Sequence, residues 1–129
     1  MKNENDVKSL EKLIVQLQGL HAEISQLTKK SPNDGLNLFK LKFVNKVLLA
    51  GNEILTENYK PFEDFDSFEE EALPTNSDVT MILALYMEQV ERFRSDNIVW
   101  SDHEWRYVIN GKATSIQASM PTQIGAIRK

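Results

Sequence analysis

Apolar residues between positions 10 and 27 follow the spacing of an α-helix. They alternate steps of three and four residues without interruption, at Leu10, Leu13, Leu17, Leu20, Ile24 and Leu27. This spacing places them in one stripe along a helix, and such a stripe is buried against another surface. The pattern predicts a first helix over residues 5–30, packed in a helical hairpin or in a self-associated bundle. Leu17 and Leu20, in the middle of the stripe, are therefore candidate partner-binding residues.

A second helix is predicted over residues 32–57. Ser31 is a helix-capping residue, Pro32 suits the first helical position, and Asp34 follows the cap by three residues. The apolar stripe of this helix is wider than that of the first, which predicts a central helix contacted from two sides. Its members are Leu36, Phe39, Phe43, Val47 and Ile54, widened by Leu41, Val44, Leu48 and Leu55.

Three lysines, Lys40, Lys42 and Lys46, interleave with the aromatic residues of this second helix. A basic amphipathic surface for a membrane or a partner helix has this composition. A core stripe with solvated lysines accounts for the same residues, and it is the interpretation that the pattern favours.

Residues 58–74 form an acidic and aromatic connector. Phe62, Phe65 and Phe68 lie three apart among six carboxylates, and Pro61 and Pro74 bound the segment. We call residues 62–71 the strap. Its rings either close the core of the bundle or contact a partner, since a spacing of three places them on one face of a short helical turn. The candidate partner-binding residues of the strap are Phe62, Phe65, Glu69, Glu70 and Glu71.

The last third of the chain changes from helix to strand. Thr75 and Asp78 have the spacing of a capping box, which predicts a third helix over residues 76–96. Residues 104–118 then alternate around Asn110-Gly111, a dipeptide that favours a type I′ turn, and they predict a β-hairpin. In that hairpin Ile109 faces Lys112, Tyr107 faces Thr114, Trp105 faces Ile116 and Arg106 faces Ser115. Residues 119–129 form a tail without periodicity.

The predicted fold is mainly α: a helical hairpin plus a third helix, with a C-terminal β-hairpin, in one domain over residues 1–129. A chain of 129 residues is long enough to bury one core without metal or disulfides. It contains no cysteine, which excludes disulfides and thiolate chemistry. The first residues are polar, and no apolar run approaches the length of a membrane span. These features predict a cytoplasmic protein without a membrane partner.

Charge is distributed unevenly along the chain. Residues 1–60 contain nine lysines and seven acids, whereas residues 61–129 contain six basic residues and twelve acids. Proteins that bind nucleic acid usually carry a basic excess with clustered Arg and Lys. The net charge here is −4. Direct nucleic-acid binding is therefore not expected.

Catalytic and metal-binding motifs are weak. The five glycines are scattered and form no phosphate-binding loop, and the only histidines are His21 and His103. Asp102-His103-Glu104 is the best constellation, but a metal site needs three or more converging ligands and no second histidine lies nearby. The strap carboxylates lack the alternating spacing and central glycine of a calcium loop. We therefore predict no catalytic residue, no metal ligand and no cofactor.

Two hypotheses about function remain. The first is a non-catalytic module for protein–protein interaction or assembly, with self-association as one form. The second is an acidic inhibitor or mimic, whose strap occupies a basic surface on an enzyme or on a nucleic-acid-binding protein. The salt dependence of binding separates them, because salt screens an electrostatic contact.

Overall fold

The computed structural model describes residues 1–122 as three helices followed by a three-stranded antiparallel sheet. The helices are α1 (Glu4–Lys30), α2 (Leu38–Tyr59) and α3 (Asn76–Asp96), and a short 3₁₀ turn (Glu70–Ala72) precedes α3. The strands are β1 (Ile98–Ser101), β2 (Glu104–Ile109) and β3 (Lys112–Gln117), in the sheet order β1-β2-β3. This confirms the mainly α class, the three-helix core and the C-terminal hairpin. Residues 119–122 of the predicted tail are described, and residues 123–129 lie outside the described residues.

The start of the second helix was predicted six residues too early. Asn37, not Ser31, caps α2, and its side chain accepts a hydrogen bond from the amide of Lys40 at 2.9 Å. The residues before it pair with the start of α3 instead. Leu36 donates its amide to the carbonyl of Pro74 at 2.9 Å, and Gly35 forms an isolated β-bridge with Thr75. These pairings satisfy backbone groups that a helix would otherwise use, and they override the local capping signal.

The core lies where the three helices meet. Leu10, Leu13, Leu17 and Ile24 of α1 are buried, as predicted, and α1 packs most extensively on α3. Leu20 and Leu27 are partly buried against the same core. α2 is therefore not the central helix, and that prediction was wrong. Its buried stripe is Leu41, Val44, Val47, Leu48, Gly51 and Leu55.

The sheet contains one strand more than the predicted hairpin. β1 pairs with β2, and the buried residues Ile98 and Tyr107 face each other in this pairing. Asn110 and Gly111 have φ of 51° and 76°, so they form the predicted turn, and Ile109 pairs with Lys112.

The register then shifts, so that Arg106 lies opposite Gln117 rather than Ser115. The carbonyl of Trp105 correspondingly accepts the amide of Ala118 at 2.9 Å, and the predicted Trp105–Ile116 pairing is not formed. The Thr114 hydroxyl bonds the carbonyl of Tyr107 at 2.7 Å within this irregularity. Extra residues are therefore taken up on β3, as in a β-bulge.

Candidate protein interface on helix α2

α2 carries two stripes at helical spacing, on opposite sides. The inner stripe is the buried one. Every member of the outer stripe is exposed, and the stripe also advances by steps of three and four, which places its members on one face. We call this stripe the outer face. Its members are Phe39, Lys42, Phe43, Lys46, Leu49, Ala50 and Glu53.

Large apolar side chains on the outer face are open to solvent. Phe39 is 72% exposed, Leu49 51% and Phe43 45%. The two phenylalanine rings contact each other edge to face, with centroids 5.0 Å apart. The sequence pattern assigned Phe39 and Phe43 to the core. Their exposure shows that this prediction was wrong.

Three lysines lie close to these phenylalanines in the sequence, at positions 40, 42 and 46. The Lys46 ammonium lies 5.5 Å from the centroid of Phe43, within the range of a cation–π interaction. Lys40 points elsewhere and forms an ion pair with Glu23 of α1, whose hydrogen bond and charge lower the pKa of Glu23. Within residues 1–122, Lys42 and Lys46 form no ion pair. The outer face therefore presents uncompensated positive charge next to apolar surface.

A cleft of about 910 Å³ lies between α1 and α2, on one side of the outer face. Phe43, Val47, Ala50 and Ile54 form its apolar wall on α2. The wall on α1 is polar and contains Ser9, Lys12 and Gln16, and the buried Leu13 lies between them. The cleft thus separates α2 from residues 9–16 of α1. Nearer the C-terminus of α1, the Lys40–Glu23 ion pair joins the two helices.

A second hollow, of about 530 Å³, lies on the other side of the outer face, between α2 and the strap. It is lined by Leu49, Asn52, Glu53, Thr56, Glu57, Lys60 and Asp66. Thr56 has φ 58° and ψ −172°, a conformation that interrupts α2 and that is largely restricted to glycine.

The strap is fastened to α2 by two asparagines seven residues apart. The Asn45 side chain accepts the amide of Phe68 and donates to its carbonyl, both at 2.9 Å. Asn52 donates to the carbonyl of Asp66 at 2.8 Å, and Asp66 also forms an ion pair with Lys60. Because these bonds hold backbone atoms of Asp66 and Phe68, they fix the course of the strap along α2.

The structure separates the predicted partner-binding residues. Leu17 is 1% exposed in the core, so it cannot contact a partner without unfolding, and Leu20 is partly buried beside it. In the strap, Phe65 is partly buried and lies 5.1 Å from the Phe68 ring, whereas Phe62 is exposed. Glu69 and Glu71 are exposed, and Glu70 is half-buried. The two predicted sets do not form one surface.

The outer face was not predicted from the sequence to be a surface. The signal was present, because the lysines between Phe39 and Lys46 were noted as compatible with a partner helix. Leu49, Ala50 and Glu53, however, were not included in it. Both stripes of α2 have helical spacing, and spacing alone does not decide which of two apolar stripes is buried.

The predicted chemical constellation lies in the β1–β2 turn. Asp102 and His103 are exposed there, with φ of 49° and 66°. Glu104 forms an ion pair with Arg106 at 2.6 Å. Residues 1–122 contain no group of three or more His, Cys, Asp or Glu side chains arranged to hold a metal ion.

None of the helices described is long and apolar enough to cross a membrane. The chain matches no protein-family model, no curated protein and no solved structure.

Proposed function

We propose that this protein is a non-catalytic interaction module and that it binds another protein chain through the outer face of α2. The observation that carries the proposal is the exposure of Phe39, Phe43 and Leu49 along a helix whose opposite side is core. A helix that is apolar on both sides is usually covered on both sides. Exposed apolar surface of this kind, bordered by polar residues, is typical of protein interfaces.

The chemistry of the surface favours a helical partner with acidic residues. The outer face extends along α2 from Phe39 to Glu53, about 21 Å at 1.5 Å per residue. An amphipathic helix of a partner packs with its apolar side against a surface of this kind and the cleft beside it. Lys42 and Lys46 have no acidic partner among the described residues, so they are free to pair with carboxylates beside the partner's apolar stripe. The aromatic rings supply the anchors that commonly dominate binding energy.

Site-specific photo-crosslinking in the native cell tests this proposal. We expect p-benzoylphenylalanine in place of Phe39 or Leu49 to form protein adducts. The matched control is the same residue in place of Met81, which is 57% exposed on α3. Equal adducts at all three positions, or none at Phe39 and Leu49, would contradict the proposal.

Sedimentation with anionic lipid vesicles tests whether the outer face binds a membrane instead. Vesicle binding that is lost in Phe39→Asp would assign this face to a membrane.

The acidic strap supports a second candidate, an inhibitor or mimic that occupies a basic surface. Asn45 and Asn52 fix the strap's backbone, while Glu63, Asp64, Glu69 and Glu71 remain exposed. A fixed array of exposed carboxylates is suited to a basic surface. Reversing Glu69, Glu70 and Glu71 to lysine would then abolish binding, and the binding of the unaltered protein would weaken steeply with salt.

A further inference from the structure

We propose that the chain on the outer face of α2 is a second copy of this protein, packed antiparallel with its own outer face against the first. This proposal rests on the proposed function, because it names the partner of the same surface. The product is a dimer with two-fold symmetry, in which each contact occurs twice.

The charges of the outer face are self-complementary in one register. When two antiparallel α2 helices cross between Leu49 and Ala50, Lys46 of each copy lies opposite Glu53 of the other. Both of these charged side chains are exposed, and neither forms an ion pair within residues 1–122. A parallel arrangement sets lysine against lysine and glutamate against glutamate, so the charges favour the antiparallel one.

The crossing point suits close packing of two helices. Ala50 has only a methyl group, and the distance between packed helix axes falls as the side chains at the contact become smaller. Leu49, beside it, is 51% exposed and supplies apolar area at the centre of the contact. Apolar side chains at the centre with charges on either side are typical of a protein interface.

Phe43 also meets a complementary feature in this arrangement. It lines the cleft of about 910 Å³ between α1 and α2, together with Ala50 and Ile54. The two-fold axis of an antiparallel helix pair keeps this side of the outer face common to both copies. Phe43 of each copy is thus directed to the neighbour's cleft beside Ile54, as aromatic anchors at interfaces are.

Charge reversal at Lys46 and Glu53 provides the test. By light scattering we expect the unaltered protein to have twice the 14.8 kDa mass of one chain. Lys46→Glu and Glu53→Lys each place like charges in both symmetric contacts, so each variant alone is expected at the monomer mass. An equimolar mixture of the two restores opposite charges in both contacts, and we expect it to return to the dimer mass. The double variant is expected to dimerise by itself.

Lys8→Glu on the exposed side of α1 is the matched control, and we expect it to remain dimeric. Circular dichroism confirms that every variant is folded. The proposal is overturned by a monomeric unaltered protein, by single variants that remain dimeric, or by a mixture that stays monomeric. If it fails while crosslinking at Phe39 captures a different protein, the proposed function stands without self-association. If crosslinking at Phe39 also yields no protein adduct, both proposals fail.

Discussion

The Tyr86 hydroxyl donates a hydrogen bond to the side-chain oxygen of Asn52 at 2.6 Å. Asn52 in turn donates to the carbonyl of Asp66 at 2.8 Å, so a chain of hydrogen bonds links α3, α2 and the strap. The Tyr86 ring is fully buried, and it packs against Gly51, where a β-carbon would lie 3.4 Å from the ring. This arrangement positions α2, and with it the outer face, on the bundle.

Tyr86→Phe is expected to lower the free energy of unfolding by about 1–3 kcal/mol, because it leaves the Asn52 oxygen without its donor in a partly buried site. Urea denaturation measures the change. Asn52→Ala and the double variant are the matched controls, because they remove the acceptor with and without the Tyr86 hydroxyl. Losses that simply add in the double variant would show that the bond between Tyr86 and Asn52 is not specifically stabilising.

Alkaline pH is expected to destabilise the protein through the same residue. Burial raises the pKa of Tyr86 to about 12, from 10.0 in the unfolded chain. Since the folded-state pKa is the higher one, this stabilisation is fully present below pH 10 and is lost as the pH rises from 10 toward 12. Denaturation measured across this range should show a smaller decline for Tyr86→Phe than for the unaltered protein. Tyr59, whose pKa burial also raises to about 12, and Tyr107, whose pKa burial also raises, both contribute to the remaining decline.

Acid is expected to weaken the attachment of residues 119–122 to α3. Arg94 forms a bidentate ion pair with Glu91 at 2.7 and 2.9 Å, and the Thr122 amide and hydroxyl both donate to the same carboxylate. Burial opposes ionisation of Glu91, but the hydrogen bonds from Arg94 and Thr122 outweigh it and hold its pKa below 4.5.

The stabilisation from Glu91 is therefore present above about pH 4.5 and is lost as the pH falls through the lower folded-state pKa. We expect Glu91→Gln to be less stable than the unaltered protein near neutral pH and to lose less stability on acidification. Urea denaturation at neutral and acidic pH measures both effects. Parallel pH profiles for the two proteins would rule out this role of Glu91.

Thr56→Gly is expected to stabilise the fold. A β-branched residue at φ 58° and ψ −172° carries strain of about 1–3 kcal/mol, which glycine does not. Glycine's greater freedom in the unfolded chain offsets about 0.5–1 kcal/mol of that gain. A net increase of about 1 kcal/mol in the free energy of unfolding is the expected result. Thr56→Ala keeps a β-carbon in the strained conformation, so a similar gain in that variant would refute the explanation by strain.

Periodicity predicted the helices well where only one stripe is apolar. In α1 four of the six residues of the predicted stripe are buried and Leu20 and Leu27 are partly buried, while Val7 extends the stripe by one turn. In α3 the capping box of Thr75 and Asp78 forms as expected. α2 has two stripes, and only its packing on α1 and α3 shows which one is inside. The early start predicted at Pro32 failed for a related reason, because residues 32–36 pair with a segment some forty positions later in the chain.

The sheet shows a similar limit. The Asn110-Gly111 turn was predictable because both residues tolerate positive φ. β1 was missed because it begins directly after α3, and the turn that follows it consists of Asp102 and His103, which carry no glycine signal despite their positive φ. The candidate interface was hardest to predict, since it depends on which apolar residues of α2 the rest of the fold leaves uncovered.

Paired substitutions distinguish the α1 stripe from the outer face. Leu17→Asp places an unpaired carboxylate at a position that is 1% exposed, and we expect it to unfold the protein, because a buried charge without a partner is strongly destabilising. Phe39→Asp changes a residue that is 72% exposed, so its effect on stability is expected to stay within about 0.5 kcal/mol. It is nevertheless expected to abolish association, since it replaces an aromatic anchor of the outer face. Circular dichroism and light scattering on the two variants measure folding and association separately. A folded Leu17→Asp variant that fails to associate, together with an associating Phe39→Asp variant, would return the interface to the α1 stripe.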